Sequence, residues 1–546
     1  VTAATRLFEV LPVLAQDDRV QVVFTRTGSS AFDEGTHEFL ATRGVREIPW
    51  DEAMRGSFDM AISASYGGGL HELNFPLVIV PHGMGYNKLA NREPRTANRE
   101  PRTANREPRT ANREPRTANR EPVFGLAREW LMYEGRVVPS VVVLSHDEQL
   151  DRLRRDCPEA AARAVLAGDL VYDRLVASMA LRASYRRAFG LSPEQNLIVV
   201  SSTWGQESLL GRCPHLPIQL AERLPSDEFT ILLALHPNVW FGHSRWEVST
   251  WLASARRAGV YVPDDVDEWR AALLAADLTI GDHGSVTFYS AGLGTPILLA
   301  SAPIQAVASD SPIAELLAAA SELDLSRELE GQVRVAMAGA DRDRLRAITD
   351  LATSQPGLAA TRLRSVFYRL LELTEPDWAA EIDVIPLPSG PIEQAGAHLV
   401  WVRQTGPRSA VITRRPAERL RNDPWTPRGH HLAVSVVEAR QRWLALADVV
   451  IGTAGTDTLE WIAGTLELMP GCQLATAPDA AHWLLGDRNG AIVTVDGPGM
   501  GPRLFGSVAC AWLNGGDTLD DMVGDWVVTA GAHEHRIAVT PATATR

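Results

Sequence analysis

Cysteine is scarce in this chain: Cys157, Cys213, Cys472 and Cys510 are the only four in 546 residues, and none stands at CxxC or other metal-ligand spacing. That excludes a zinc ribbon and a disulfide framework, and points to a reduced, cytoplasmic compartment. No apolar run reaches the length of a membrane span, and the amino terminus lacks the charged-then-apolar layout of a signal peptide. Peripheral attachment at the inner face of a membrane stays open. A net charge of −14 excludes a broad nucleic-acid surface, which needs clustered cations. Also missing are GxxxxGKS/T, HExxH and GxSxG motifs, so none of those three chemistries applies and no motif calls for a metal or cofactor.

What is present is an alternation of strands and helices. Val20 to Phe24, Phe58 to Ser63 and Pro76 to Val80 read as strands with polar helical segments between them. The chain starts on a loop entering a helix, so a first strand is expected upstream. Val141 to Ser145 continues the series, and Ala167 to Asp173 reads as a strand and turn. A second series opens at Leu197 to Ser201 and runs through Thr230 to Leu235 and Val260 to Val262. Its most informative member is Asp277 to Ala300: buried strand, Gly/Ser loop, short helix, second buried strand. Such a unit sets backbone N–H groups against a phosphate. The expected fold class is α/β, two Rossmann-like domains followed by a C-terminal α/β module, with helix-rich 311–373 closing the second domain.

From Ala90 to Pro122 the heptapeptide Ala-Asn-Arg-Glu-Pro-Arg-Thr repeats four times and begins a fifth. A proline every seven residues forbids a continuous helix and nothing large and apolar is there to bury, so 90–122 reads as a disordered insertion. It holds nine Arg against five Glu, a net of +4, leaving −18 on the rest. Beyond Pro376 the composition shifts to Trp, Gly and Pro. There Ala447 to Thr456 echoes Ala276 to Ser285 in its order of Ala-Asp, apolar strand, Gly and small polar loop.

Candidate site residues sit at strand ends, where parallel sheets border their ligand crevices. His82 follows the strand ending at Val80 and can serve as a general base or cap its loop. Lys88, six residues on, can pair with a phosphate or stand in solvent. Gly67, Gly68 and Gly69 let a ligand approach the backbone or simply turn the chain. His236, before Pro237, can donate to a diphosphate or be structural. In the Gly/Ser loop, Asp282, His283, Gly284 and Ser285 form the phosphate-binding candidate, with helix capping as the alternative for Asp282 and Ser285.

His82-Gly83, the AGDLVYDRL segment from Ala167, His236-Pro237 and the ADLTIGDHGSVTFYSAGLGTPILL segment together resemble the CDP-glycerol glycerophosphotransferase family, over about residues 1–373. The resemblance implies a GT-B arrangement, with 1–175 on the acceptor side, 176–375 as the nucleotide-donor domain and 376–546 outside the family pattern. It implies His82 as catalytic base, His236 beside the nucleotide diphosphate, and Asp282 and Ser285 in the phosphate loop. Met84-Gly85 replaces the family's Thr-Pro, and His283-Gly284 its Tyr-Ser. The expected activity is transfer of a glycerophosphate-type or glycosyl group from a CDP- or UDP-linked donor to an acceptor hydroxyl. A non-hydrolysing UDP-sugar 2-epimerase and a catalytically degenerate scaffold are the alternatives.

Overall fold

The computed structural model describes residues 1–14, 17–29, 33–81, 83–89, 122–339, 342–422, 428–455 and 457–542. The heptapeptide insertion, apart from Pro122, lies outside them, as does His82. The chain opens on helix α1 (Thr2–Val10). The short pair β1 (Phe24–Thr25) and β2 (Glu47–Ile48) comes next, so only the end of the expected Val20 to Phe24 strand forms. The first main sheet is parallel, in the order β3 (Ala61–Ser63), β4 (Leu77–Ile79), β5 (Val141–Leu144), β6 (Ala164–Leu166). All four residues of β5 are buried, as expected of a strand covered on both faces.

Ala167 to Asp173 is not a strand and turn. Asp169 accepts the Tyr172 N–H at 3.0 Å and starts helix α2 (Leu170–Ser178). The β propensity of Leu-Val-Tyr yields there to a capping aspartate.

The second sheet is also parallel: β8 (Phe229–Leu235), β7 (Asn196–Ser202), β9 (Leu278–Gly281), β10 (Ile297–Leu299), β11 (Ser321–Glu322). Tyr261 bridges Leu232 at the edge of β8. Counting that segment as third in chain order, the strands run 3-2-1-4-5-6, the doubly wound Rossmann order, with its switch point between β7 and β9. Helices α3 (Pro237–Gly242), α4 (Trp269–Ala275) and α5 (Ser285–Gly292) belong to this unit. Helix α6 (Ala359–Leu370) then returns to the first sheet, where Leu363, Val366 and Phe367 pack with Val78, Val141 and Val143.

The last module is a closed nine-stranded barrel, a form that short apolar runs do not specify. Its order is β12 (Ala397–Gly406), β13 (Ser409–Pro416), β19 (Gly524–Ala530), β20 (His533–Pro541), β18 (Ile492–Asp496), β17 (His482–Asp487), β16 (Leu474–Asp479), β15 (Val449–Ile451), β14 (His431–Ser435), and β14 pairs back onto β12. The run from β14 to β16 is parallel, with α7 (Gln441–Leu446) and α8 (Thr458–Leu468) as crossovers. Helix α9 (Gly501–Asn514) fills the interior, where Leu504, Phe505 and Val508 meet Val400, Ile412 and Leu485.

The Ala-Asp echo has one physical cause at both places. Asp277 accepts the Leu197 N–H at 2.8 Å and Asp448 accepts the Leu432 N–H at 2.7 Å. Each carboxylate satisfies a donor near the start of the neighbouring parallel strand.

Burial holds the His431 imidazole, inside the barrel, down to about 4, with His430 adding to the shift. The unfolded chain therefore takes up a proton that the folded chain refuses between the ordinary 6.5 and about 4, so stability falls as pH drops through that window. Lowering the pH from about 7 to about 4.5 is expected to cost the barrel about 2 kcal/mol from this group alone. Thermal unfolding followed against pH checks it: His431→Leu flattens the acid limb, and an unchanged limb contradicts the assignment.

Candidate active site

The two parallel sheets turn their C-terminal edges toward one cleft. Its walls include Gly83, Met84 and Lys88 after β4, Thr203 after β7, His236 after β8, and His283, Gly284 and Ser285 after β9. Of the residues singled out in the sequence, Lys88, His236, His283, Gly284 and Ser285 meet there. Gly67, Gly68 and Gly69 do not line it: Gly67 and Gly68 pack on Ser29 and Thr27. A second hollow is lined by Gly294, Pro296 and Gln332. It opens where β10 begins, the wrong end of a parallel sheet for a ligand crevice.

Asp282 is fully buried and gives both oxygens to the protein. Oδ2 accepts from the Thr203 N–H at 2.8 Å, the Thr203 hydroxyl at 2.7 Å and the Leu209 N–H at 2.9 Å, and Oδ1 accepts from the Gly284 N–H at 3.0 Å. It holds the loops after β7 and β9 in register, so its part is to position the loop. A side chain at Gly284 would drive a Cβ to 2.5 Å from Thr203 Cγ2, which explains glycine at that place. The first bond within α5 runs from the Phe288 N–H to the Gly284 carbonyl. The N–H groups of Ser285, Val286 and Thr287 therefore have no acceptor inside the helix, the arrangement that attracts an anion.

The first domain reaches this helix end directly. The Met84 N–H donates to Ser285 Oγ at 3.2 Å, and a Cβ on Gly83 would lie 2.6 Å from the same oxygen, so only glycine allows the approach. His236 caps α3 by accepting the Asn238 N–H on Nδ1 at 3.1 Å. In its neutral form the proton is then on Nε2, which makes the ring a donor. His283 Nδ1 is buried without a partner. Burial holds this imidazole below its ordinary range, Asp282 opposes the shift and Lys88 assists it.

Sequence reasoning singled out Lys88 but missed its neighbour Trp204, and Arg6, Arg270 and Tyr289 of the lining. Lys88 Nζ lies 5.8 Å from the centre of the Trp204 ring, itself 6.4 Å from His236. The signal for Trp204 was its place just past β7, at the switch point. Lys88 is also the single lysine of a chain that otherwise uses arginine for its cations.

Deeper in the cleft, Arg6 of α1 donates to Asp169 Oδ2 at 3.2 Å, and the Tyr289 hydroxyl of α5 donates to the same oxygen at 2.9 Å. Burial works against the Arg6 charge, but Asp169, Tyr289 and Glu9 outweigh it and raise its pKa. Glu9 also pairs with Arg270 of α4 at 2.6 Å. The described lining thus carries Arg6, Lys88, Arg270 and two imidazoles, and no carboxylate.

No protein-family model matches the chain, and no curated protein does. Among solved structures, the wall teichoic acid polymerase TagF aligns at 13% identity over 67% of this chain and 93% of that one, with a TM-score of 0.39. HepE of Anabaena in complex with UDP and glucose aligns at 12% identity over 68% and 95%, with a TM-score of 0.32. A glycosyltransferase from Rickettsia africae ESF-5 aligns at 10% identity over 67% and 94%, with a TM-score of 0.33. Superpositions this loose carry no weight beside the strand order and the cleft themselves. What the chain's own geometry establishes is an α/β protein with two parallel sheets facing one cleft whose described lining holds no carboxylate, followed by a barrel.

Proposed function

We propose that this protein is a transferase that moves a glycerophosphate-type or glycosyl group from a nucleotide-activated donor, CDP- or UDP-linked, to an acceptor hydroxyl. The observation that carries the reading is the cleft wall: a helix N-terminus, a serine hydroxyl, a histidine N–H donor and a lysine converge, without a carboxylate among the described lining residues. Such a wall suits a diphosphate.

In this reading the donor's diphosphate lies on the Ser285, Val286 and Thr287 N–H groups, with His236 Nε2–H and Lys88 to its side. The acceptor oxygen attacks the phosphorus or anomeric carbon, and the bond to the departing nucleotide breaks with its electron pair on the nucleotide. Those donors stabilise the negative charge that the nucleotide gains. The base that takes the acceptor's proton is His82 by family resemblance alone, since that residue lies outside the described ones. Gly83, its neighbour, stands in the cleft.

An epimerase needs acidic groups around its sugar. The described lining offers none, which favours transfer.

Ser285→Ala and His236→Gln are each expected to weaken binding of CDP or UDP about tenfold, the effect of one charge-assisted hydrogen bond. Calorimetric titration of the full chain reads it. His82→Ala is expected to keep that affinity and lose turnover. If neither CDP-glycerol, CDP-ribitol nor a UDP-sugar binds the wild type, the degenerate scaffold is the better account.

A further inference from the structure

We propose that the barrel mouth that abuts the second domain binds a small oxyanion, inorganic phosphate or a phosphate monoester. Three strands and the internal helix meet at this mouth. Val400, Ile412 and Ile537 face the barrel interior. By the two-residue period of a strand, His398 on β12, Arg414 on β13 and His535 on β20 face the same way. Helix α9 begins beside them: a Cβ on Gly501 would lie 3.1 Å from that of His535. Arg503 stands in the first turn of that helix.

The charges at the mouth do not balance. Arg414 is spoken for, since Asp227 of the second domain accepts from its Nε at 2.9 Å and its Nη2 at 2.5 Å. Arg503 has no such partner. Among the described residues nothing accepts from its guanidinium, and its Nε is sealed from solvent. His398 is 5% exposed and its Nε2 is equally without a partner. Arg503 is half-buried, but its sealed Nε–H, left without an acceptor, is costly, and among the described residues no second carboxylate relieves it.

An oxyanion relieves it. A planar guanidinium presents paired N–H donors at the spacing of two oxygens of a phosphate, and an imidazole can add a third donor. The helix contributes as well. Leu504 N–H is the first to bond back within α9, to the Met500 carbonyl, so the Arg503 N–H has no acceptor inside the helix. In support, burial lowers the His398 pKa, and Arg414 and Arg503 add to the shift. Burial likewise lowers the Arg503 pKa, with Arg414 contributing.

The site is separate from the cleft. Asp227 precedes β8, whereas His236 follows it, so the two positions lie at opposite ends of the same strand.

The test is titration of the full-length protein with inorganic phosphate, comparing wild type, Arg503→Gln and Ser285→Ala. Arg503→Gln is expected to weaken the barrel-site affinity about tenfold, while Ser285→Ala, which alters only the cleft, leaves that affinity in place. Equal phosphate binding by wild type and Arg503→Gln overturns the proposal. Selenate soaked into crystals of the wild type gives an answer that does not depend on the variant's folding. An anomalous peak within hydrogen-bond distance of Arg503 and His398 is expected, and selenate found elsewhere alone, or nowhere, overturns the assignment.

Discussion

Asp282→Asn is expected to weaken nucleotide binding about a hundredfold and to cost the second domain about 3 kcal/mol of stability. The new amide nitrogen must replace either Oδ2, which accepts three donors, or Oδ1, which accepts the Gly284 N–H. Either choice sets donor against donor in a position without solvent, and each buried orphan costs about 1–3 kcal/mol. The Gly284 bond fixes where α5 begins, so its loss tilts three N–H groups away from the anion they would hold. That is why a residue with no free oxygen for the ligand should matter more than Ser285, whose loss removes one contact. Titration with CDP or UDP and denaturant unfolding read the two effects. Unchanged affinity would show that the loop does not depend on Asp282.

Asp169→Asn is expected to cost about 3–5 kcal/mol, the usual penalty for leaving a buried charge without its partner. Asn can keep the cap on the Tyr172 N–H through its own oxygen. It then turns its NH2 toward Arg6 and the Tyr289 hydroxyl, which lose their shared acceptor. Because Arg6 belongs to α1 and Tyr289 to α5, the damage also loosens the two sides of the cleft. Urea unfolding of Asp169→Asn, Arg6→Met and the double variant forms the decisive cycle. The double variant should be more stable than Asp169→Asn alone, since removing Arg6 removes the stranded charge. Additive losses would mean that the two residues do not act as a pair.

The strand, loop, helix and strand around Ser285 were legible in the sequence because each part is a strong local signal. Apolar Leu278 to Ile280 and Ile297 to Leu299 are buried strands, and Ser285 begins the helix between them. His236 was legible for a similar reason, since Pro237 ends β8 and starts α3. Asp169 was not. Its helix reads as a strand from Leu-Val-Tyr, and its partner Arg6 lies 163 positions away, beyond the reach of any local pattern. Asp282 was found, but its work was not. A sequence cannot tell a carboxylate that faces a ligand from one surrounded by Thr203, Leu209 and Gly284.

The barrel was hidden for a different reason. Its closing contacts join strands far apart in the chain, such as β13 with β19, and a nine-stranded closure leaves no periodicity different from that of an open sheet. The return of α6 to the first sheet was equally silent, because its apolar stripe of Leu363, Val366 and Phe367 suits either sheet.

A crystal structure of the full chain with bound CDP tests the central claim most directly. The account predicts the diphosphate at the start of α5, within hydrogen-bond distance of the Ser285 and Val286 N–H groups, with His236 Nε2 beside it. A diphosphate seated instead in the hollow of Gly294, Pro296 and Gln332 would contradict it.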